Sequence, residues 1–399
     1  MMKLTWFAFL IAVLVLGPFG CKQVYMPPVV NSNSGYLVVD GVLFNGNDSS
    51  IIKLSRTRSL ADSSQPAPES GAAVSVVSSS GIEYPLTDIG NGSYGAAQLN
   101  LDGSLQYQLK IMSVDGNEYL SDLTDIRVTP PIDTVYWRQD SLGVAVYLTT
   151  HDPTNNARYY RWMVDETWQY HTAFVSLLDY VNGEVVFRDG NNRVYDCYRT
   201  ATLPEINVAT SNKLSNDLIY QKQVIRVPTT SEKLSFEYSA MIKQYTLTQD
   251  AFNYWNNLAT NTQNTGSLFD RQPFTQQGNI HCVNKPGIPV IGYISFSTLQ
   301  KHRIFISKND VFSWNYYPYY AECEISPLPP PNDPSLLFPA TGPPFFFTLI
   351  GTDNGTYLFT DIRCGDCRNH GGTTTKPSFW PYIFNSHGEL FNNRIFSEK

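Results

Sequence analysis

The sequence predicts a mainly β protein: an N-terminal immunoglobulin-like sandwich followed by a second β-rich domain with a helical insertion. Three observations carry this. The chain holds 25 Tyr and 22 Phe but only 16% charged residues, and aromatic side chains favour a pleated, half-buried surface. Its 26 Gly and 25 Pro punctuate it at short intervals, with Asn91-Gly92, Asp102-Gly103 and Asp115-Gly116 reading as hairpin turns. Strict alternation appears in Gln106-Tyr-Gln-Leu-Lys-Ile111. Tyr107, Leu109 and Ile111 fall on one face there, and Gln106, Gln108 and Lys110 on the other.

The N-terminus comes first. Lys3 precedes an uncharged apolar run from Leu4 to Leu16, short of the ~20 residues that span a bilayer. The run fits the apolar region of a signal peptide covering residues 1–20. Gly17-Pro18 breaks it, and Phe19-Gly20-Cys21 places a small residue before a cysteine. That arrangement resembles a bacterial lipobox, although Pro18 stands where Leu is usual. The expectation is cleavage before Cys21, diacylglycerol on its sulfur, and a membrane anchor. Residues 21–35, with Pro27-Pro28 and Asn31-Ser-Asn-Ser34, read as a tether.

Residues 36–129 carry the sandwich text. Tyr36 to Leu43, Ile51 to Ser55, Ala72 to Val77 and Gln106 to Ile111 read as strands, and Arg56 to Glu69 as a polar loop. Thr129-Pro130-Pro131-Ile132-Asp133 marks a stiff boundary. Residues 130–399 form the second domain. Its most legible strand is Tyr160 to Tyr170, with Tyr160, Trp162, Val164, Trp168 and Tyr170 on the apolar face; Met163 and Glu166 break the pattern. A helix is predicted near 248–260: Ala251, Phe252, Trp255, Leu258 and Ala259 share one face, with a capping box at Thr246 and Gln249. Val290 to Phe296 and Arg303 to Ile306 return to β text. Residues 327–344 hold eight prolines and read as a long loop, before closing strands at Phe345 to Ile350 and Tyr357 to Thr360.

Net charge is −7 and no stretch concentrates Lys and Arg, which speaks against nucleic acid as a partner. The six histidines are scattered, with no HExxH, no GxSxG and no phosphate loop. The reading is a non-catalytic body without a cofactor. Cys364-Gly-Asp-Cys367 is the most pointed motif. Outside the cytoplasm thiols pair, so one reading is a structural disulfide, within the motif or from one member to Cys323 or Cys282. A second is a metal site on Cys364, Cys367 and His370, without the further ligand pair that zinc fingers supply. A third is a redox-active dithiol, which more commonly sits at a helix start. Cys197 leaves the thiol count odd. The run Trp314-Asn-Tyr-Tyr-Pro-Tyr-Tyr320 reads either as a stacking surface, with Trp314, Tyr316, Tyr317, Tyr319 and Tyr320 facing a ligand, or as core rings alternating with a lid over a sheet edge.

Several motifs recur in order: Cys21, Tyr36-Leu-Val-Val-Asp-Gly41, Leu54-Ser55-Arg56, Pro130-Pro131-Ile132-Asp133, Ile242-Lys-Gln-Tyr245, Gly278-Asn-Ile-His-Cys282, Cys364-Gly-Asp-Cys367-Arg368 and Gly371-Gly-Thr to Trp380. Together they resemble the Bacteroidota lipoprotein family called domain of unknown function 4249. The resemblance implies an outer-membrane lipoprotein acting as a binding or accessory subunit, with a SusC-like TonB-dependent β-barrel transporter as partner. It assigns no catalytic residue and no ligand, and it leaves the periplasmic and surface-facing leaflets both open. The competing expectation is a periplasmic thiol-redox or metal-binding protein built on residues 364–367.

Overall fold

Leu37–Phe44 is the first strand of the computed structural model, which describes residues 35–58, 66–190, 192–263, 277–314, 316, 322–338 and 347–381. The leader, Cys21 and nearly all of the tether lie outside the described residues, as do Tyr317, Tyr319 and Tyr320. The protein is mainly β. No helix among the described residues is long and apolar enough to cross a membrane.

Two sheets enclose the first core. One runs Leu37–Phe44, Ser50–Arg56, Ser93–Ala96, Thr87–Gly90 in spatial order; the other runs Glu118–Ser121, Gln106–Met112, Ala73–Ser78, Glu83–Pro85. Leu37, Val39, Ile52, Leu54 and Tyr94 of the first meet Val74, Val76, Tyr107, Leu109, Ile111 and Tyr119 of the second, so the alternation in Gln106–Ile111 is the inside-outside alternation of a packed sheet. Membership is wider than residues 36–129. Ile280–Cys282 extends the second sheet beside Glu118–Ser121, while Val290–Ile291 and Phe296–Ser297 lie parallel to Leu37–Phe44. The expected division after residue 129 marks the linker, yet the first sandwich takes three strands from far beyond it.

Gly278-Asn-Ile-His-Cys282 holds this returning segment by backbone approach. A Cβ at Gly278 would meet the Gly292 carbonyl oxygen at 1.6 Å, and one at Gly292 would meet the Val39 oxygen at 2.0 Å. The buried Asn279 amide accepts from Ile294 N–H at 2.9 Å and donates to Ile294 C=O at 2.9 Å. Its side chain thus imitates a strand neighbour.

The second core lies between a sheet of Ile132–Asp140, Gly143–Asp152 and Asp217–Pro228 and a sheet of Asp196–Thr202, Tyr159–His171, Glu237–Thr246 and Gln300–Ser307. Even-numbered residues of Tyr159–His171 point inward as predicted. Glu166 is among them and is buried because it is paired: Lys233 Nζ lies 2.5 Å from one oxygen and Tyr238 OH 2.6 Å from the other.

The helix Gln249–Gln263 fills the junction. Ala251, Tyr254 and Trp255 pack against Val42 and Phe44 of the first sandwich and Tyr245 and Leu247 of the second. Its cap differs from the expected box. Thr248 Oγ1 accepts from Ala251 N–H at 3.2 Å, while Thr246 is buried in the joint, where its N–H donates to Thr129 Oγ1 at 3.1 Å. The hydroxyl that starts the helix is therefore the later threonine.

A smaller unit among the described residues comprises the hairpin Leu178–Val181/Glu184–Phe187 and a sheet of Ser326–Pro327, Thr356–Asp361 and Phe347–Asp353. Part of the proline-rich loop is ordered into this unit through Pro327 and a 3-10 turn at Pro334–Leu336; residues 339–344 lie outside the described residues.

Candidate functional site

Cys364 and Cys367 sit on two consecutive turns, Ile362–Gly365 and Cys367–His370, capped by the Asp361 and Asp366 carboxylates. Each cysteine goes elsewhere. Cys367 is bonded to Cys197, 170 residues away, with Cα atoms 5.7 Å apart. Cys364 is bonded to Cys323, 41 residues away, with Cα atoms 5.8 Å apart. The motif is therefore two separate staples three residues apart, and neither sulfur is left as a thiolate for metal binding or dithiol exchange. Two expectations need correction. Cys282 is a buried free thiol in the first core, its Sγ 3.4 Å from Asn284 Oδ1. Cys197, absent from the candidate pairs, takes a disulfide instead; its pairing across 170 residues left no trace in local spacing.

The turn is fixed on all sides. Tyr170 OH donates to Cys367 C=O at 2.7 Å, and Cys367 N–H donates to Val194 C=O at 2.9 Å. Burial pushes the Tyr170 phenol up to about 12. Arg368 forks onto Asp366, at 2.6 Å for its closest nitrogen. Gly365 and Gly372 are required by space: a Cβ would come within 2.4 Å of Thr348 Cγ2 and of Tyr170 OH respectively. Below this turn the Arg188 guanidinium, 5% exposed, donates to Asp179 at 2.8 Å, to Ser176 Oγ at 2.9 Å and to Leu178 C=O at 3.1 Å. Burial lowers its pKa, and the carboxylate opposes that shift. His370, the third ligand of the metal reading, stands edge-on to Tyr170 with Nε2 2.9 Å from Arg363 C=O. Among the described residues no group of three or more His, Cys, Asp or Glu has metal-binding geometry.

The aromatic run is divided. Trp314 is half-buried against the second core and donates its indole N–H to Ser231 C=O at 2.9 Å, which is packing. Tyr316 is half-buried as well. Further on, Trp380 is buried against Tyr198 and Phe305, with the Arg303 guanidinium 3.5 Å over Phe379.

A cleft of about 520 Å3 opens where the two sandwiches meet, lined by Ile126, Arg127, Val128, Pro130, Asp152, Thr154 and Asn156. Its walls are braced. Arg127 donates to Asn156 C=O at 2.5 Å. Asp152 accepts from Thr154, Asn156 and Ala157 backbone N–H groups at 2.8–2.9 Å. Behind it, Thr129 Oγ1 lies 3.2 Å from Thr246 Oγ1 and 3.0 Å from Ser297 Oγ. Gln244, fully buried, donates to Pro130 C=O at 2.9 Å and Thr150 Oγ1 at 3.0 Å, and accepts from Trp162 Nε1 at 2.8 Å. Every polar atom of that amide has a partner, so the joint is rigid. The motif Ile242-Lys-Gln-Tyr245 had singled out this residue without revealing its role.

A family model described as Domain of unknown function (DUF4249) matches residues 23–303. No curated protein matches the chain. Among solved structures, a chitinase ChiA74 from Bacillus thuringiensis is 10% identical with a TM-score of 0.15; the match covers 48% of this chain and 29% of the chitinase, so this chain spans under a third of that enzyme's length. A DUF3823 family protein from Bacteroides ovatus is 12% identical with a TM-score of 0.13, covering 53% of this chain and 90% of the other. Likenesses this slight carry no argument about fold or function.

Proposed function

The chain belongs to the DUF4249 family, and from that premise we propose that it is an envelope lipoprotein, anchored through Cys21, that serves as a rigid binding or accessory subunit for an outer-membrane TonB-dependent β-barrel transporter. The observation that carries this reading is the pair of disulfides, Cys197–Cys367 and Cys323–Cys364. Disulfides across such long separations belong to an oxidising compartment, where the leader and Cys21 would deliver the chain. Two sandwiches joined by a helix and by the hydrogen-bonded Thr129, Gln244, Thr246 and Ser297 side chains suit a scaffold that holds a surface in place. Two mainly antiparallel sheets facing each other across the first core support the immunoglobulin-like assignment.

The test is mass spectrometry of the mature protein from its native envelope together with detergent-solubilised co-purification. Acylated Cys21 and a co-purifying β-barrel are expected. An unmodified Cys21, or recovery of the chain alone under gentle extraction, overturns the reading.

A further inference from the structure

The hairpin edge Glu184-Val-Val-Phe187 differs from several other sheet edges. We propose that it is a strand-addition site that takes an extended segment of a partner protein, aliphatic at alternate positions and with a basic residue facing Glu184.

The backbone states the chemistry. Val181 opposes Glu184 across the Asn182-Gly183 turn, whose φ values are 53° and 88°, and Asp179 opposes Val186. Arg188 N–H donates to Leu177 C=O at 2.9 Å. Bonded pairs alternate along an antiparallel ladder, so Glu184, Val186 and Arg188 bond inward, and Val185 and Phe187 turn N–H and C=O outward. Their strand pairs only with Leu178–Val181, leaving two donors and two acceptors open among the described residues.

Several other edges are closed. Glu83–Pro85 and Ser326–Pro327 end in proline, and Thr87–Gly90 is broken by a bulge. Thr373 bonds in both directions to Tyr198 on the Asp196–Thr202 edge at 2.8 and 2.9 Å. The Gln139 side-chain amide pairs with both backbone groups of Phe312 at 2.5 and 3.0 Å, sealing the seam beside Ile132–Asp140. Asn207 Nδ2 reaches Val224 C=O at 3.1 Å on Asp217–Pro228. Proline, bulges and covering contacts are three of the devices that blunt an edge. Glu184–Phe187 has none of them, and its side chains favour pairing: Phe187 is 84% exposed, with Val181, Val186 and Leu177 exposed around it.

Charge selects the occupant. Glu184 has no ion pair among the described residues. A second copy added antiparallel would bring Arg188 near it, but that guanidinium is turned inward onto Asp179, Ser176 and Leu178. The free carboxylate is therefore unmet by the chain's own strand and fits a basic residue from another protein. The site holds whichever way the anchor at Cys21 is resolved.

The experiment is hydrogen exchange of the full mature chain, read on residues 178–188, with and without the acetylated, amidated peptide Lys-Val-Thr-Val-Thr-Val as probe. Saturating peptide is expected to slow exchange there roughly tenfold. Val185→Pro removes an outward N–H and should abolish the effect at unchanged melting temperature. Phe187→Lys should weaken it even if the proline variant fails to fold. A peptide with Glu in place of Lys should bind less well. No slowing with the wild-type chain, or slowing that survives both variants, overturns the proposal. So does a concentration-dependent dimer in ultracentrifugation that Phe187→Lys dissolves, which would assign the edge to a second copy.

Discussion

The Tyr238 hydroxyl donates to the Glu166 carboxylate at 2.6 Å inside the second sandwich. Lys233 holds the other oxygen. Removing one member leaves a buried acceptor without its partner. Tyr238→Phe is expected to cost ~1–3 kcal/mol, and Lys233→Met ~3–5 kcal/mol because it strands a buried charge. Urea unfolding of the two variants measures both losses. The smaller loss should belong to Tyr238→Phe.

Buried phenols set the alkaline limit. Burial and the Glu166 charge raise the Tyr238 pKa well above its usual value, burial and the Asp217 charge do the same for Tyr160, and burial takes Tyr170 and Tyr245 up to about 12. A raised folded pKa means that the folded chain holds the proton more tightly. The stabilisation is then complete below the unfolded phenol value near ~10 and is lost as pH rises through the folded values. Absorbance titration should show these phenolates appearing only with unfolding, above the range in which exposed tyrosines ionise.

At the surface, hydrogen bonding to Asp133 and its negative charge raise the His151 pKa. Here the favourable interaction is fully present below the unfolded imidazole value near ~6.5 and fades as pH rises through the folded one. Asp133→Asn should return the His151 pKa toward 6.5 in an NMR titration, with little change in melting temperature because the pair is exposed.

Peptide mapping under non-reducing conditions should recover Cys197 with Cys367 and Cys323 with Cys364, and, apart from Cys21, denatured protein should expose a single further thiol, Cys282. Cys197→Ser is expected to lower stability by ~2–5 kcal/mol. A linked Cys364–Cys367 pair would contradict the arrangement.

Gly278→Ala drives a Cβ into the Gly292 carbonyl oxygen, and the backbone must move. A loss of ~3 kcal/mol or more is expected. Asn279→Ala, which leaves the Ile294 backbone unpaired, should lose ~1–3 kcal/mol. Chemical denaturation of both variants tests whether the returning segment is fixed as described.

What the sequence revealed follows the range of the forces involved. The strand Tyr159–His171 was legible because burial alternates within it, and the helix because its apolar residues repeat every three to four positions. The helix cap was misplaced by two residues, since Thr246 and Thr248 look alike until Thr246 is seen to be claimed by Thr129. Residues 278–297 were legible as β text only at Val290 to Phe296, and their place in the first sandwich was hidden for a different reason. Three strands of two or three residues carry no period, and what holds them is close backbone approach at Gly278 and Gly292. Cys197 was missed because nothing near it announces a partner on the far side of the domain. Of the aromatic run, Trp314 is half-buried against the second core, a packing role that the alternating-ring reading allowed.

The strands at Ile280–Cys282, Val290–Ile291 and Phe296–Ser297 also set the order of events at birth. A chain threaded out N-terminus first cannot finish its opening sandwich until nearly three-quarters of its length has followed, because the last slats arrive from there. Until then Leu37, Val39 and Tyr119 wait with one flank bare. Closing so long a loop is slow, and a half-made sheet is sticky. The opening sandwich therefore passes through a stage in which an unfinished sheet edge stands exposed.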